Sequence, residues 1–229
     1  MDFIFMLTQA DATVPDGLRV LDDIADLKLR HIGFKDVGAD REMQRRLNTQ
    51  ILAMGATSYL EMVSLETQSC VAAARMAAEI GVNRLLGGTA AATVLEILKG
   101  TGIEYYPYPG FPTGHPVDLR GSKDAIAEHC ANFAAQGCAG ADLLAYRATE
   151  AMPLDLVAAA RGALGAGRLI VAGSISSVTQ LVELARAGVD AFTVGTAVFE
   201  NSFSAAETGI TRQIRAIQAA LDTEAIATT

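Results

Sequence analysis

The stretch RLIVAGSISSVTQLVELARAGVDAFTVGTAVF, residues 168–199, decides the fold of this chain. It holds two apolar runs with an amphipathic helical segment between them, and each run ends in a glycine followed by a hydroxyl residue: Gly173-Ser174 and Gly195-Thr196. Parallel α/β folds have this order, and they bind ligands at the carboxyl ends of their strands. Glycine lets the backbone approach a ligand closely, and N–H groups at a helix start attract negative charge. These four residues therefore predict an anion-binding site.

The same alternation of strand and helix runs through the whole chain. Short apolar or β-branched runs predict strands at residues 3–8, 31–35, 57–63, 84–88, 104–108, 142–147, 169–174 and 191–195. Helical periodicity predicts helices at residues 16–27, 40–54, 66–80, 90–98, 122–136, 154–164, 177–187 and 204–221. Eight such units favour a single α/β domain over residues 1–229, folded as a (β/α)8 TIM barrel. A doubly wound open sheet is the alternative, because one miscounted strand converts one fold into the other.

Composition limits the class of protein. The chain has 229 residues, of which 51% are hydrophobic, and this is enough for a sizeable core. A net charge of −8, with no basic cluster beyond Arg45-Arg46, argues against nucleic-acid and acidic-membrane partners. The N-terminal MDFIFML has no basic segment and no apolar run is long enough for a membrane span, so we expect a cytoplasmic protein. Cys70, Cys130 and Cys138 lack metal-ligand spacing and are predicted to be buried thiols.

The fifth strand–helix connection carries an unusual insertion. Residues 105–122 read YYPYPGFPTGHPVDLRGS, and the prolines prevent a helix there. Long loops of this kind are usually functional, so we expect the segment to cover or line a pocket. His115 lies within it and is a candidate for catalysis or binding.

A family resemblance rests on residues 170–200, IVAGSISSVTQLVELARAGVDAFTVGTAVFE. This segment resembles the last two βα units of the phosphate-binding (β/α)8 barrels, which include histidine-biosynthesis isomerases, tryptophan synthase alpha subunits and N-acylmannosamine-6-phosphate epimerases. In that group, glycine turns after strands seven and eight hold a substrate phosphate. The resemblance therefore implies a ribulose-phosphate-binding type of barrel with phosphate bound at Gly173, Ser174, Gly195 and Thr196. The histidine-biosynthesis isomerases use an aspartate after strand one, whereas this chain has Thr8, which argues against that enzyme.

The candidate catalytic residues lie on strands two and three. HIGFKDVG places Lys35 and Asp36 at the end of strand two, and SYLEMVS places Glu61 near the end of strand three. Because neighbouring strands lie about 4.8 Å apart, Lys35 and Glu61 are expected to meet at the barrel mouth. One interpretation is a structural ion pair. The other makes Lys35 an acid, electrophile or Schiff-base amine and Glu61 a base, with burial and charge tuning both toward neutral pH.

Strand six ends in LLAYR, which adds Tyr146 and Arg147 as catalytic candidates. The guanidinium of Arg147 could bind a carboxylate or a second phosphate. Alternatively, Arg147 only pairs with a rim carboxylate such as Asp36 or Glu150. Asp142 begins this strand and is given a structural role.

A second glycine turn repeats the late motif. RLLGGTAA at residues 84–91 resembles FTVGTAV at residues 192–198, so Gly88 and Thr89 are candidates for a further anion-binding turn. A tight strand–helix connection that needs glycine explains the same residues.

These residues favour an enzyme that acts on a small phosphorylated metabolite. The leading hypothesis is an isomerase or epimerase with Lys35 and Glu61 as the acid–base pair. A Schiff-base aldolase or lyase at Lys35 and a non-catalytic sensor of phosphorylated metabolites are the alternatives. No cofactor is expected, although Asp36 and Glu61 leave Mg²⁺ binding open. Homo-oligomer formation is also left open.

Overall fold

The computed structural model describes residues 1–114 and 116–227. Within these residues, eight parallel strands form the central sheet. They are β1 (Asp2–Met6), β2 (His31–Lys35), β3 (Thr57–Met62), β4 (Arg84–Gly87), β5 (Glu104–Tyr106), β6 (Gly140–Leu143), β7 (Arg168–Val171) and β8 (Ala191–Val194).

The sheet curls into a nearly closed barrel. Its hydrogen-bonded order is β6-β7-β8-β1-β2-β3-β4-β5, so β5 and β6 are its two ends. Two backbone bonds join these ends, from Ala139 N–H to the Tyr105 carbonyl at 3.0 Å and from Asp142 N–H to the Pro107 carbonyl at 3.0 Å. The (β/α)8 barrel predicted from the sequence is thus confirmed, and the doubly wound sheet is wrong.

Helices surround the barrel. They are α1 (Gly17–Asp23), α2 (Arg41–Ala53), α3 (Thr67–Ile80), α4 (Ala91–Leu98), α5 (Lys123–Gln136), α6 (Pro153–Leu164), α7 (Val178–Arg186) and α8 (Ile210–Ala227). Side-chain oxygens of Asp40, Ser122 and Ser177 accept hydrogen bonds from the first turns of α2, α5 and α7 and so fix where these helices begin. A short helix, Thr196–Phe199, directly follows β8.

Strand alternation produces two apolar layers. One set of side chains faces the helices, and the other fills the barrel with Ile4, Met6, Tyr59, Leu86, Tyr106, Ile170 and Ala191. Gly33 faces the same interior, where a side chain at this position would meet the Met6 sulfur at 2.5 Å. Because residues two apart share a face, Lys35 and Glu61 point inward one step beyond Gly33 and Tyr59. The packed interior therefore forms a floor beneath these two charged side chains.

Several element boundaries differ from those predicted, among them the bounds of β6 and the start of α8. β6 covers Gly140–Leu143 instead of residues 142–147, and Ala145–Arg147 forms a 3-10 turn. Gly140 begins the strand and pairs with Arg168 on β7. The backbone of Arg168 passes where a side chain on residue 140 would lie, so glycine is needed there. α8 begins at Ile210 instead of residue 204, because the Gln213 side chain bonds both backbone groups of Ser204 and holds that segment in a loop.

The insertion after β5 forms an antiparallel hairpin, Phe111–Thr113 with Asp118–Arg120. All three cysteines are buried and free, as predicted. Among the described residues, no helix is both long enough and apolar enough to cross a membrane.

Candidate active site

A cavity of about 360 Å³ opens at the carboxyl ends of the strands. Its wall includes Thr8, Asp11, Lys35, Glu61, Arg147, Gly173, Ser174, Gly195 and Thr196. The predicted acid–base pair and both late glycine turns therefore face one cavity.

Lys35 ends β2 with its side chain directed into this cavity and only 8% exposed. Its ammonium lies 2.9 Å from Asp11 Oδ1 and 3.4 Å from Glu61 Oε1. Lys35 pairs in register with Glu61 on β3, which explains the second contact. The backbone of Lys35 is fixed as well, because its N–H donates to Thr13 Oγ1 at 2.8 Å and its carbonyl accepts from that hydroxyl at 2.8 Å.

Asp11 is a site residue that the sequence did not reveal. It lies in the turn of a small hairpin after β1, in which Gln9 pairs with Ala12. Ala10 and Asp11 both adopt positive φ, +49° and +58°, where glycine or asparagine is usual. The Asp11 carboxylate accepts two bonds of 2.8 Å from the Arg147 guanidinium as well as the bond from Lys35. Thr8 lines the cavity just after β1, where the sequence places it, and Asp11 reaches the same cavity from the following turn.

The ion pairs decide the charge states of Asp11 and Lys35. Burial alone would raise the pKa of Asp11, but its bonds to Arg147 and Lys35 hold that pKa well below its ordinary value. Burial alone would lower the pKa of Lys35, but the carboxylates of Glu61 and Asp11 outweigh burial and raise it. The expectation that Lys35 is tuned toward neutral pH is thus wrong for the unliganded protein, in which Lys35 is an ammonium.

Glu61 projects from β3 and is 6% exposed. The Tyr108 hydroxyl donates to Glu61 Oε1 at 2.6 Å. Tyr108 belongs to the insertion after β5, and the same insertion supplies the Val117 carbonyl that accepts from Arg147 at 3.3 Å. The insertion therefore hydrogen-bonds Glu61 and Arg147, and none of its described residues lines the cavity, whereas the sequence predicted that it covers or lines the pocket.

Arg147 pairs with Asp11, so both partners proposed from the sequence are wrong. The Asp36 carboxylate accepts from the Val63 N–H at 2.9 Å, and Glu150 accepts from the Gly121 N–H at 2.9 Å. Asp36 does not line the cavity, and burial raises its pKa. Its carboxyl connects the ends of β2 and β3 instead of serving the site.

The two late glycine turns differ in backbone conformation, and Gly195 in the second turn has φ −131°. Gly173 has φ +79° and Ser174, without being glycine, has φ +56°. A Cβ on Gly173 would lie 2.5 Å from Arg147 Nε, so glycine is needed for the arginine to cross the turn. Within the described residues, the N–H groups of Gly173, Ser174 and Gly195 donate to no other protein group. Clustered free N–H groups of this kind attract anions.

Other predicted site residues lie elsewhere. Tyr146 donates to Glu183 Oε2 at 3.3 Å outside the cavity wall, and burial together with Glu183 raises its pKa to about 12. Thr89 donates to the Leu65 carbonyl at 3.4 Å, and it lines a separate cavity of about 510 Å³ between α4 and α5. Gly88 packs against the Cys70 sulfur, so the strand-four turn does not join the late turns. His115 lies outside the described residues.

Asp142 is a second acidic residue whose place in the barrel differs from the expectation of the sequence analysis. It pairs with Ile170 of the barrel interior and is fully buried inside the barrel. Burial, and next the charge of Glu61, raise its pKa well above the ordinary value. In the described part of the chain, no group of three or more His, Cys, Asp or Glu side chains is placed to hold a metal ion.

Together these features define a (β/α)8 barrel with a buried charged cluster and two glycine turns at the carboxyl ends of its strands. No family model matches the sequence. No curated protein sequence matches it significantly.

Solved structures share the fold. Orotidine 5'-phosphate decarboxylase from Pyrococcus horikoshii OT3 has 13% identity and a TM-score of 0.67, over 96% of this chain and 99% of that chain. A structure described as native KDPGal has 12% identity and a TM-score of 0.66, over 97% of each chain. A cube-shaped, highly porous protein cage designed by fusing symmetric oligomeric domains has 12% identity and a TM-score of 0.66, over 100% of this chain and 76% of that one. These similarities confirm the barrel that the family resemblance implied.

Proposed function

We propose that this chain is an enzyme that acts on a small phosphorylated metabolite. The observation that carries the proposal is the shared cavity, in which an ammonium and a carboxylate stand opposite two glycine turns with free N–H groups. The turns would bind the phosphate, and the Lys35–Glu61 pair would act on the other end of the molecule. A structural neighbour named for a 5'-phosphate substrate, orotidine 5'-phosphate decarboxylase, is compatible with this class.

Arg147 gives the phosphate subsite a positive charge. Its side chain crosses Gly173 and remains 18% exposed while bonded to Asp11. Arginine binds phosphate oxygens in a planar, bidentate geometry. We infer that Arg147 contacts the substrate phosphate and that Asp11 fixes its orientation.

The reaction we propose is proton transfer next to a carbonyl, as in an isomerase or epimerase. The Lys35 ammonium would hydrogen-bond the substrate carbonyl oxygen and stabilise the negative charge that develops there. The Glu61 carboxylate would remove a proton from the adjacent carbon, giving an enediolate whose oxygen is hydrogen-bonded by the Lys35 ammonium. In an isomerase, Glu61 would return the proton to the former carbonyl carbon, and the hydroxyl on the deprotonated carbon would become the new carbonyl. In an epimerase, the Lys35 ammonium would instead donate a proton to the opposite face of the deprotonated carbon, leaving Glu61 protonated and Lys35 neutral.

The charge state of Lys35 favours this reaction over Schiff-base chemistry. Attack on a carbonyl needs a neutral amine, whereas Glu61 and Asp11 raise the pKa of Lys35. The aldolase alternative is retained on one observation. The Glu61 carboxylate lies 3.4 Å from Lys35 Nζ and would accept the proton that the ammonium must lose.

Ligand binding is tested by thermal unfolding with phosphorylated C3 to C6 sugars, amino-sugar phosphates and inorganic phosphate. A ligand that binds the folded state raises the melting temperature. Thr196→Glu places a negative charge beside the turns, and Thr196→Gln is the neutral control of nearly equal size. Stabilisation of the wild type and of Thr196→Gln, but not of Thr196→Glu, supports the phosphate site. Equal responses of all three proteins would place the phosphate elsewhere.

The chemistry is tested with the stabilising ligand in ²H₂O. The proposal expects solvent deuterium to enter the ligand with the wild type and not with Glu61→Gln. Borohydride reduction followed by peptide mass mapping is then the control for the alternative. An adduct on Lys35 would establish the aldolase, and binding with neither exchange nor adduct would leave a sensor.

A further inference from the structure

Asp142 is a buried carboxyl group that the proposed reaction does not use. Its exposure is 0%, and neither carboxyl oxygen has a hydrogen-bond partner among the described residues. Its position is fixed by the register of Asp142 with Ile170 and by the bond from its N–H to the Pro107 carbonyl at 3.0 Å. A carboxylate buried without donors is strongly disfavoured, whereas a carboxylic acid in the same place is tolerated.

Charge balance points the same way. The charges of Glu61 on β3, Lys35 on β2 and Arg147 after β6 act on the Asp142 carboxyl group, and the Tyr108 hydroxyl after β5 senses the charge of Asp142. Lys35 and Arg147 are already paired with the carboxylates of Asp11 and Glu61. An uncharged Asp142 leaves this cluster balanced, and an ionised one would add a negative charge with no cation to match it.

We propose that Asp142 is a positioning residue for the Lys35–Glu61 pair: it carries a proton in the folded protein, and loss of that proton to solvent base disables the pair. An ionised Asp142 would compete with Glu61 for Lys35, whose contact with Glu61 is already long at 3.4 Å. Repulsion would also draw a proton onto Glu61, which would then no longer act as a base. The catalytic consequence rests on the function proposed above, whereas the protonation of Asp142 does not.

The protonation is tested by urea unfolding between pH 5 and pH 8, comparing the wild type with Asp142→Asn. In this range the aspartate is ionised in the unfolded chain and protonated in the folded one, so raising the pH pulls the wild type toward unfolding. The unfolding constant of the wild type should rise about tenfold per pH unit relative to Asp142→Asn. Asp155→Asn, at an exposed position on α6, is the matched control and should follow the wild type. Parallel pH dependences of the wild type and Asp142→Asn would overturn the proposal.

Infrared spectroscopy of the wild type keeps the test decisive if Asp142→Asn does not fold. At pH 7 the proposal expects a carboxylic-acid C=O band that shifts on ¹³C-aspartate labelling. Asp36 is also buried and is the other candidate for a protonated aspartate, so the band should persist in Asp36→Asn. Absence of such a band in the wild type would overturn it. Deuterium exchange by the wild type should fall at alkaline pH as Asp142 loses its proton, and exchange by Asp142→Asn should not. The same pH profile of exchange in both proteins would exclude the positioning role. A protonated Asp142 in a protein that exchanges no deuterium into any ligand would refute the proposed function and leave the protonation of Asp142 standing.

Discussion

Replacing Asp11 by Asn should strongly destabilise this protein. Asp11 is 5% exposed and receives bonds of 2.8, 2.8 and 2.9 Å from Arg147 and Lys35. An amide of the same shape keeps the positive φ, which Asn tolerates, but removes the charge that both cations face. Breaking a buried ion pair from one side costs about 3–5 kcal/mol. For a chain of this size, that corresponds to a fall of roughly 6–20 °C in melting temperature.

The assay is urea unfolding followed by circular dichroism, with Asp23→Asn as the control. Asp23 also bonds an arginine, at 3.0 Å, but the two side chains are 52% and 66% exposed, so its loss should cost under about 1 kcal/mol. The pH dependence adds a second criterion. Because the pKa of Asp11 is depressed in the fold, its contribution is complete above the unfolded value of 3.8 and is lost as the pH falls through the folded value. The gap between wild type and Asp11→Asn should therefore be constant from pH 8 to about pH 5 and narrow in more acidic solution. An Asp11→Asn protein as stable as the wild type at pH 7 would refute the reasoning.

Two further predictions concern the Lys35–Glu61 pair. Lys35→Met should lower deuterium exchange into the ligand by about 10²–10⁴-fold, the usual contribution of an acid–base group, while the phosphate still raises the melting temperature. Loss of both responses together would mean that Lys35 is structural. Tyr108→Phe removes the 2.6 Å bond to Glu61 and should cost about 1–3 kcal/mol in urea unfolding, because it leaves the buried Glu61 Oε1 with only the 3.4 Å contact to Lys35. Tyr146→Phe, which loses only the 3.3 Å bond to Glu183 at a half-buried position, should change stability by less. Equal effects of the two tyrosine substitutions would contradict this interpretation.

The sequence predicts the barrel and part of the site because both depend on local patterns. Alternating strands and helices set the fold, and a charged residue within an apolar strand marks Lys35 and Glu61 as neighbours across the ladder. The glycine turns after β7 and β8 follow the same logic, since close approach of the backbone requires particular residues.

Other site residues depend on tertiary contacts that leave no local signal. Asp11 lies in a turn with Ala10, and this turn contains neither the Gly nor the Asn that usually marks one in a sequence. Its partner Arg147 is 136 residues away in sequence. The predicted strand begins at Asp142, whereas β6 already begins at Gly140, which pairs with Arg168 on β7. The prediction for Tyr146 fails at the other end of this strand, because β6 ends at Leu143 and a 3-10 turn redirects the following side chains.

β5 and β6 are the two ends of the sheet, so this barrel has a sheet edge that a barrel with a continuous hydrogen-bond ladder lacks. Exposed edges recruit strands from other molecules, and natural proteins blunt them with short strands and prolines. Here β5 is only 3 residues long, and Pro107 and Pro109 follow it directly without N–H groups to offer. The prolines of the insertion therefore leave few N–H groups at this edge for pairing with a strand of another molecule. Replacing these prolines would endanger solubility during folding before it altered the finished structure.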